Sequence, residues 1–401
     1  MKRRRKVGKI GRGRGRLKKR KPPNTLLHIT VMRVFFVFFF LLIVANVLSS
    51  NRETSARENR VLAQGPEFSL VSVASGTYMS QFEKFLSDQF VGRDFFRGLS
   101  VDFKRIGGSR MENDVFLGRN NQLMQDIVSP NQDELQVNIE AIRSFAKRYP
   151  NINHSMMLVP DAATVLSDRL PSFAVVSDQT RQMNHVGREL EDYLAWIDVM
   201  IPLRNYADEG VFFQTDHHWT SLGAFIAFQE AAGTLGIAGD FNSAFMAFPV
   251  TNTFNGTLAS RSGFAQNVRE DIYVYVPRGD DELIVNFVDE QRRSTSLFDS
   301  SKLETYDQYG VFLGGNTSVI SIRTTAPDNR RLLIVKDSFA NSFVQFLTPY
   351  FREIILVDPR YYQGHIDEIM STYRITDSLI LYSGNTFFQD NNLSGVLGGE
   401  E

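Results

Sequence analysis

Residues 331–343 read RLLIVKDSFANSF, and their reading decides the fold. Residues 332–335 form a short unbroken apolar run, the pattern of a strand buried on both faces. Lys336, Asp337 and Ser338 then turn the chain into a helical run over 338–347. A strand that feeds directly into a helix is the building unit of a parallel sheet. The turn between them lies at the carboxyl edge of the strands, where ligand sites of such sheets form. Ser338 stands at that edge. It can act as a nucleophile, with the free N–H groups of the helix start ready to stabilise an oxyanion, or it can be the N-cap that serine so often is.

The same rhythm extends in both directions. Downstream, residues 353–357 read as a strand, 365–370 as a helix and 378–382 as a last strand. Upstream, 139–149 is an amphipathic helix and 155–159 a buried strand. Residues 181–194 follow as a helix, 197–201 as a strand and 220–235 as a helix that ends near Gly236. Residues 250–325 break the rhythm with short strand-like runs at 273–276, 283–288 and 318–322, separated by polar turns. The expected fold is therefore α/β: a parallel sheet flanked by helices, with a β-rich insertion at about 250–325. No internal repeat is evident.

The composition conceals a division. The 401 residues hold 44 Lys+Arg against 45 Asp+Glu, a net charge of −1. Fourteen of the basic residues and none of the acidic ones fall in residues 1–33, so the remainder has 30 basic against 45 acidic, a net of −15. Between the two lies VFFVFFFLLIVA at 34–45, apolar without a break. Extended to 30–48 it spans about 28 Å as a helix, close to the hydrocarbon thickness of a bilayer. Arg33 lies in its first turn and can snorkel to the headgroups. The basic flank places the N-terminus in the cytoplasm. The long basic region and the lack of an A-x-A site favour a retained anchor over a cleaved signal peptide. The expected organisation is a cytoplasmic tail at 1–29 and a transmembrane helix at 30–49. A stalk and N-terminal helical region follows at 50–136, and the extracytoplasmic α/β domain at 137–401. The lipid bilayer is then a partner. Gly/Arg alternation in the tail also occurs in RNA-binding segments, but orientation and anionic lipids account for its charge, and the acidic outer part disfavours nucleic acid.

With no cysteine, a disulfide framework, a thiol nucleophile, a thiolate zinc site and an iron–sulfur cluster are excluded, while the redox compartment stays undetermined. Two of the six histidines are adjacent in TDHHWT, residues 215–220. In extended chain Asp216 and His218 share a face and His217 points away. A carboxylate beside an imidazole fixes its tautomer, as a general base requires. The same residues could be solvated groups at a helix start. They could also ligate a metal, which would need a third or fourth ligand that no further His/Asp cluster supplies. Asn385, in SLILYSGNTFF, follows another strand and is either an oxyanion donor or an ordinary Gly–Asn turn. Arg360 and Tyr361, in ILVDPRYY, occupy a similar edge position and bind substrate or simply pair with Asp358.

Together these segments resemble the DHHW family of bacterial cell-surface proteins, which belongs with SGNH-hydrolase-like proteins and is similar to the alginate O-acetylation proteins. The resemblance rests on ENRVLA (58–63), FEKFLSDQFVGR (82–93), TDHHWTSLGA (215–224), GTLASRSG (256–263), FLGGN (312–316), KDSFANSF (336–343) and VDPRYY (357–362). It implies Ser338 as nucleophile, His218 as base and Asp216 as its orienting acid. Ordinary SGNH enzymes place the serine first and D-x-x-H last, so the chain resembles a circular permutation, with Asn385 where the block-III asparagine falls. Two departures stand out: Lys-Asp-Ser replaces Gly-Asp-Ser, and no Asp follows Asn385. Lys336 would bind substrate anions or replace a missing backbone contact. His217 joins Asn385, Lys336, Arg360 and Tyr361 as oxyanion or substrate-binding candidates. The function implied is a membrane-anchored O-acyltransferase or acyl esterase, O-acetyl by analogy, acting on a cell-surface or cell-wall polysaccharide. A membrane-bound O-acyltransferase would supply acyl groups, and no cofactor or metal is expected. The other reading is a non-catalytic carbohydrate-binding or assembly protein of the same fold.

Overall fold

The computed structural model describes residues 25–55, 60–279 and 282–398, so the basic tail up to residue 24 lies outside the described residues. The chain divides into two units, residues 1–53 with 62–93, and residues 54–61 with 94–401. In the first unit, helix α1 (Thr25–Leu48) begins five residues before the expected span and is exposed on every side. Its Leu27–Leu48 stretch is long and apolar enough to cross a membrane. With phenylalanines on successive positions it is apolar all round, the pattern of a fully buried helix or a membrane span. Helix α2 (Thr77–Gln89) ends with Gln89, which accepts from the Arg52 N–H and donates to the Ala63 carbonyl.

The second unit is built on an eight-stranded sheet. Its strands in chain order are β1 (Asn153–Val159), β2 (Ala195–Trp196), β3 (Leu283–Phe287), β4 (Arg292–Ser294), β5 (Val319–Thr324), β6 (Arg331–Lys336), β7 (Glu353–Val357) and β8 (Asp377–Ser383). The spatial order is β4-β3-β5-β7-β6-β8-β1-β2. Strands β7, β6, β8, β1 and β2 run parallel, while β5, β3 and β4 extend the sheet antiparallel. Helices α3 (Gln132–Arg148), α4 (Gln179–Leu190), α5 (Ser221–Thr234), α6 (Thr257–Ser262), α7 (Phe339–Phe343) and α8 (Ile366–Tyr373) surround it. The period of two in each strand feeds two cores. Leu332 and Ile334 of β6 pack with α5 and α7, through Phe228, Phe339 and Phe343. Leu333 and Val335 pack with α3, α4 and α8, through Ile142, Val186 and Ile369.

Three expectations are corrected. The strand expected at 197–201 is β2, at 195–196 only, followed by a helix at Met200–Asn205. Asp198 Oδ1 accepts from the Met200 N–H at 2.9 Å and turns the chain, and Pro202 sits in the first helical turn, where its missing donor costs nothing. The strand-rich stretch is only partly an insertion. Phe245–Phe254 and Glu270–Pro277 pair as a separate hairpin, but β3, β4 and β5 join the main sheet. β5 lies between β3 and β7, and its Val319 and Ile320 bury into the opposite cores, so it is an interior strand of the main sheet. The helix expected at 338–347 is the five-residue α7 followed by a 3₁₀ turn, Val344–Phe346. In addition, Val101, Val115, Leu117 and Leu123, read from sequence as part of the stalk region, pack against Leu258 and Ala259 of α6 within the second unit.

Candidate active site

Ser338 leaves the sheet where the β6–β8 ladder ends, at the pair Lys336↔Leu381. Asp337, fully buried, fixes the turn. Its Oδ1 accepts from the Phe339 N–H at 2.9 Å, and its Oδ2 from the Ser383 N–H at 2.9 Å and hydroxyl at 2.8 Å. Ser338 occupies the N-cap position of α7, yet its side chain makes no capping bond. Its Oγ lies 2.7 Å from His218 Nε2 instead. The free N–H groups expected at the helix start are mostly taken. Phe339 donates to Asp337 Oδ1 and Ala340 to the Asp337 carbonyl, which leaves the Ser338 N–H with no partner among the described residues.

His218 sits in a tight loop closed by the Phe212–Trp219 bridge and the bond from the Phe213 N–H to the His218 carbonyl. Its Nδ1 lies 2.6 Å from Asp216 Oδ1, which also accepts from the His218 N–H at 3.0 Å. Asp216 Oδ2 accepts from the Thr257 N–H at 2.7 Å and hydroxyl at 2.8 Å. The ionised carboxylate, 1% exposed, is thus supplied with donors on both oxygens. Gly256 is required by close approach: a Cβ there would stand 2.3 Å from Asp216 Cβ. Thr215 anchors the loop from the other side. Its hydroxyl and N–H donate to Glu270, and its Oγ1 accepts from the Gly256 N–H.

Because a carboxylate can only accept, His218 carries its proton on Nδ1 and presents the Nε2 lone pair to Ser338. Burial would raise the Asp216 carboxyl, but the two neighbouring imidazoles and the bonds from His218 and Thr257 hold it well below the usual carboxylate range. Burial, reinforced by His217, pushes His218 down to about 4 against the pull of Asp216. At neutral pH the pair is an ionised acid and a neutral base.

Other residues of the site had weaker signals in the sequence. Trp219, next to the histidines, donates from Nε1 to the Phe339 carbonyl at 3.1 Å and to Ser342 Oγ at 2.9 Å, joining the His218 loop to the serine helix. Tyr309 had no local signal. Its ring stacks on His218 at 3.8 Å between centroids and 9° between planes, and its hydroxyl lies 3.0 Å from Ser342 Oγ. Thr257, in the GTLASRSG segment, and Glu270 were likewise not singled out.

The remaining candidates fall in less direct positions. His217 does not point away. Its ring lies 3.9 Å from that of His218 and its Nδ1 is 2.9 Å from Thr257 Oγ1, because the segment is a closed loop rather than extended chain. Lys336 is fully buried. It donates to Asn341 Oδ1 at 2.8 Å and Asn316 Oδ1 at 3.3 Å, and it lies 3.5 Å from Asp358, so its ammonium is consumed inside the protein. Arg360 grips Asp358 with two bonds of 2.8 and 2.7 Å, the ion-pair alternative for this residue. Tyr361 is half exposed beside it. The Asn385 amide is tied to residues 126–128: Oδ1 accepts from the Val128 N–H at 3.0 Å and Nδ2 donates to the Asp126 carbonyl at 2.8 Å. Asp216, His217 and His218 bring ligand atoms within 4.8 Å of one another, but the bonds to Thr257, Ser338 and within the group already use those atoms.

A mostly parallel α/β sheet carries a serine at its carboxyl edge and a D-x-H loop earlier in the chain, and its fold is SGNH-like. More closely, the chain belongs to the DHHW family, whose sequence profile matches residues 147–357. A DHHW family protein from Eubacterium siraeum has a similar structure, with a TM-score of 0.62, 20% identity, and coverage of 71% of this chain and 95% of that one. PatB1 from Bacillus cereus, solved alone and with a sulfonyl adduct, is similar at a TM-score of 0.58 and 20% identity, covering 69% of this chain and 98% of its own. No curated protein sequence matches at a significant level.

Proposed function

We propose that this chain is a membrane-anchored, extracytoplasmic O-acyltransferase or acyl esterase, with acetyl as the acyl group, acting on a cell-surface polysaccharide. The observation that carries the reading is the relay Ser338–His218–Asp216, with contacts of 2.7 and 2.6 Å. In the first half-reaction Ser338 Oγ attacks the acyl carbonyl and its proton passes to His218 Nε2. The donor's alcohol leaves with that proton and the acyl group stays on Ser338. A sugar hydroxyl, or water in an esterase, then attacks the acyl-serine, gives its proton to His218, and Ser338 regains it. The unpartnered Ser338 N–H supplies one donor for the oxyanion. Tyr309, stacked on the imidazole, holds its plane and offers a π-face to the imidazolium that forms.

The adduct on PatB1 is consistent with this reading, since sulfonyl reagents modify activated hydroxyls as a class. Helix α1, preceded by basic residues, would hold the acidic second unit at the outer membrane surface beside a membrane-bound O-acyltransferase that supplies acyl groups. The test is to treat the full-length chain in detergent with a sulfonyl fluoride and map the adduct by mass spectrometry. Modification confined to the Ser338 peptide is expected. An unmodified Ser338 under conditions that label a control serine hydrolase would sink the enzyme reading in favour of a binding protein.

The pH profile gives an independent check. A general base works only when unprotonated, so activity is complete above the folded pKa of His218 and disappears as the pH falls through it. With that pKa near 4, the acid limb of kcat/KM is expected about two and a half units below the ordinary histidine value of about 6.5. A profile measured with a chromogenic acetyl ester that breaks at 6 to 7 instead would refute a desolvated base.

A further inference from the structure

We propose that the groove between α3 and α4 is an acceptor subsite for an anionic saccharide, an inference that rests on the acyl-transfer reading and gives its acceptor a charge. The groove has a volume of roughly 540 Å³ and includes Gln132, Ser177, Arg181, Gln182, His185 and Arg188 in its lining. Arg181, His185 and Arg188 recur at spacings of four and three residues, which stacks them along one face of α4. The other face, Met183, Val186 and Leu190, is buried in the core, so helix packing does not need the basic one. None of the three basic side chains has a hydrogen bond or ion pair among the described residues. That is unusual in a chain that carries 45 acidic against 30 basic residues beyond position 33. Asp178, the one acid in the lining, is occupied in capping α4, where its Oδ1 accepts from the Arg181 N–H at 3.0 Å.

Two guanidiniums and an imidazole along one groove suit anionic oxygens, and the acyl-transfer reading makes the ligand that carries them a carboxylated or phosphorylated polysaccharide.

The position suits an acceptor chain. Ser338 follows β6; β8 and then β1 lie beside it in the sheet. Two strand spacings place the end of β1 about 10 Å from the nucleophile strand. Asp161, just past β1, is bonded to Gln179 at the start of α4, through the Asp161 N–H to Gln179 Oε1 at 2.9 Å. The start of α4 therefore lies at the same sheet edge as Ser338, and the groove runs from there along the helix.

The test uses full-length protein in detergent, with hexagalacturonate and a phosphorylated dextran oligomer as charged probes. Fully methyl-esterified hexagalacturonate and inorganic phosphate are the controls. Affinity by calorimetry and turnover of a chromogenic acetyl ester are measured on the same samples. At least one charged oligomer is expected to bind at least about tenfold more tightly than both controls. R181Q/R188Q should lose about tenfold or more of that affinity, and R181K/R188K should lose less. Ester turnover should be unchanged in both variants, which also shows that they are folded. Binding of neither charged oligomer, equal binding of the esterified one or of phosphate alone, or full affinity in R181Q/R188Q would each overturn the proposal. If the charged oligomer binds as expected but no turnover is seen even in wild type, the subsite stands and the acyl-transfer reading falls.

Discussion

Ser338→Ala is expected to lower acetyl-ester turnover by about 10⁴-fold or more while leaving the protein folded. The Ser338 hydroxyl has one hydrogen-bond partner among the described residues, His218 Nε2, and does not cap α7. Its removal should therefore cost only about 1 kcal/mol of stability, the usual worth of one hydrogen bond. The elbow itself is held by Asp337, through Phe339 and Ser383, and these bonds survive the substitution. The measurement is kcat/KM with a chromogenic acetyl ester beside a thermal unfolding curve. Turnover within tenfold of wild type, with Tm unchanged, would remove Ser338 from the chemistry.

Asp216→Asn is expected to cost about 10⁴-fold in kcat with little change in KM. The carboxylate faces donors on both oxygens: His218 Nδ1–H and backbone N–H on one, Thr257 N–H and hydroxyl on the other. An asparagine has one oxygen. If that oxygen faces Thr257, the amide NH₂ faces Nδ1 and drives the imidazole proton to Nε2, where Ser338 needs an acceptor. If it faces His218, the NH₂ confronts the two Thr257 donors in a buried site. Either arrangement removes the base or distorts the loop. Unchanged kcat in a variant of normal Tm would show that His218 acts without its acid.

The approach of Ser338, His218 and Asp216 was implied by the family resemblance, and each lies in a short segment that adds a weaker signal of its own. Residues 332–335 announce a buried strand, so the serine three positions on falls at the sheet edge, and D-x-H places a carboxylate within reach of an imidazole. The orientation of His217 could not be read this way. The expectation assumed extended chain, whereas the Phe212–Trp219 bridge closes a loop that turns both rings to the same side. The surroundings of Lys336 were hidden for a related reason. A lysine two residues before a nucleophile suggests an anion site, but its partners Asp358, Asn316 and Asn341 converge on it only in the folded sheet. The extension of the sheet by β5 also had no local signature, because a short alternating run such as VISIRT fits a hairpin as well as a larger sheet.

By itself the sequence determined the alternation of strands and helices, the long apolar helix and the separation of basic and acidic charge, and it marked Ser338, His218 and Asp216 as candidates. These are properties of composition and of periods of 2 and 3.6 residues, which act over a few neighbours. Only the tertiary structure decided that Tyr309 stacks on His218, that Trp219 ties its loop to α7, that Thr257 and Gly256 cradle Asp216, and that Arg181 and Arg188 share one groove without a side-chain partner among the described residues. Apart from the adjacency of Gly256 and Thr257 and the one-face spacing of the α4 arginines, these relations join residues far apart in the chain. Side-chain packing and charge pairing act across space, and no local pattern encodes which distant segments they bring together.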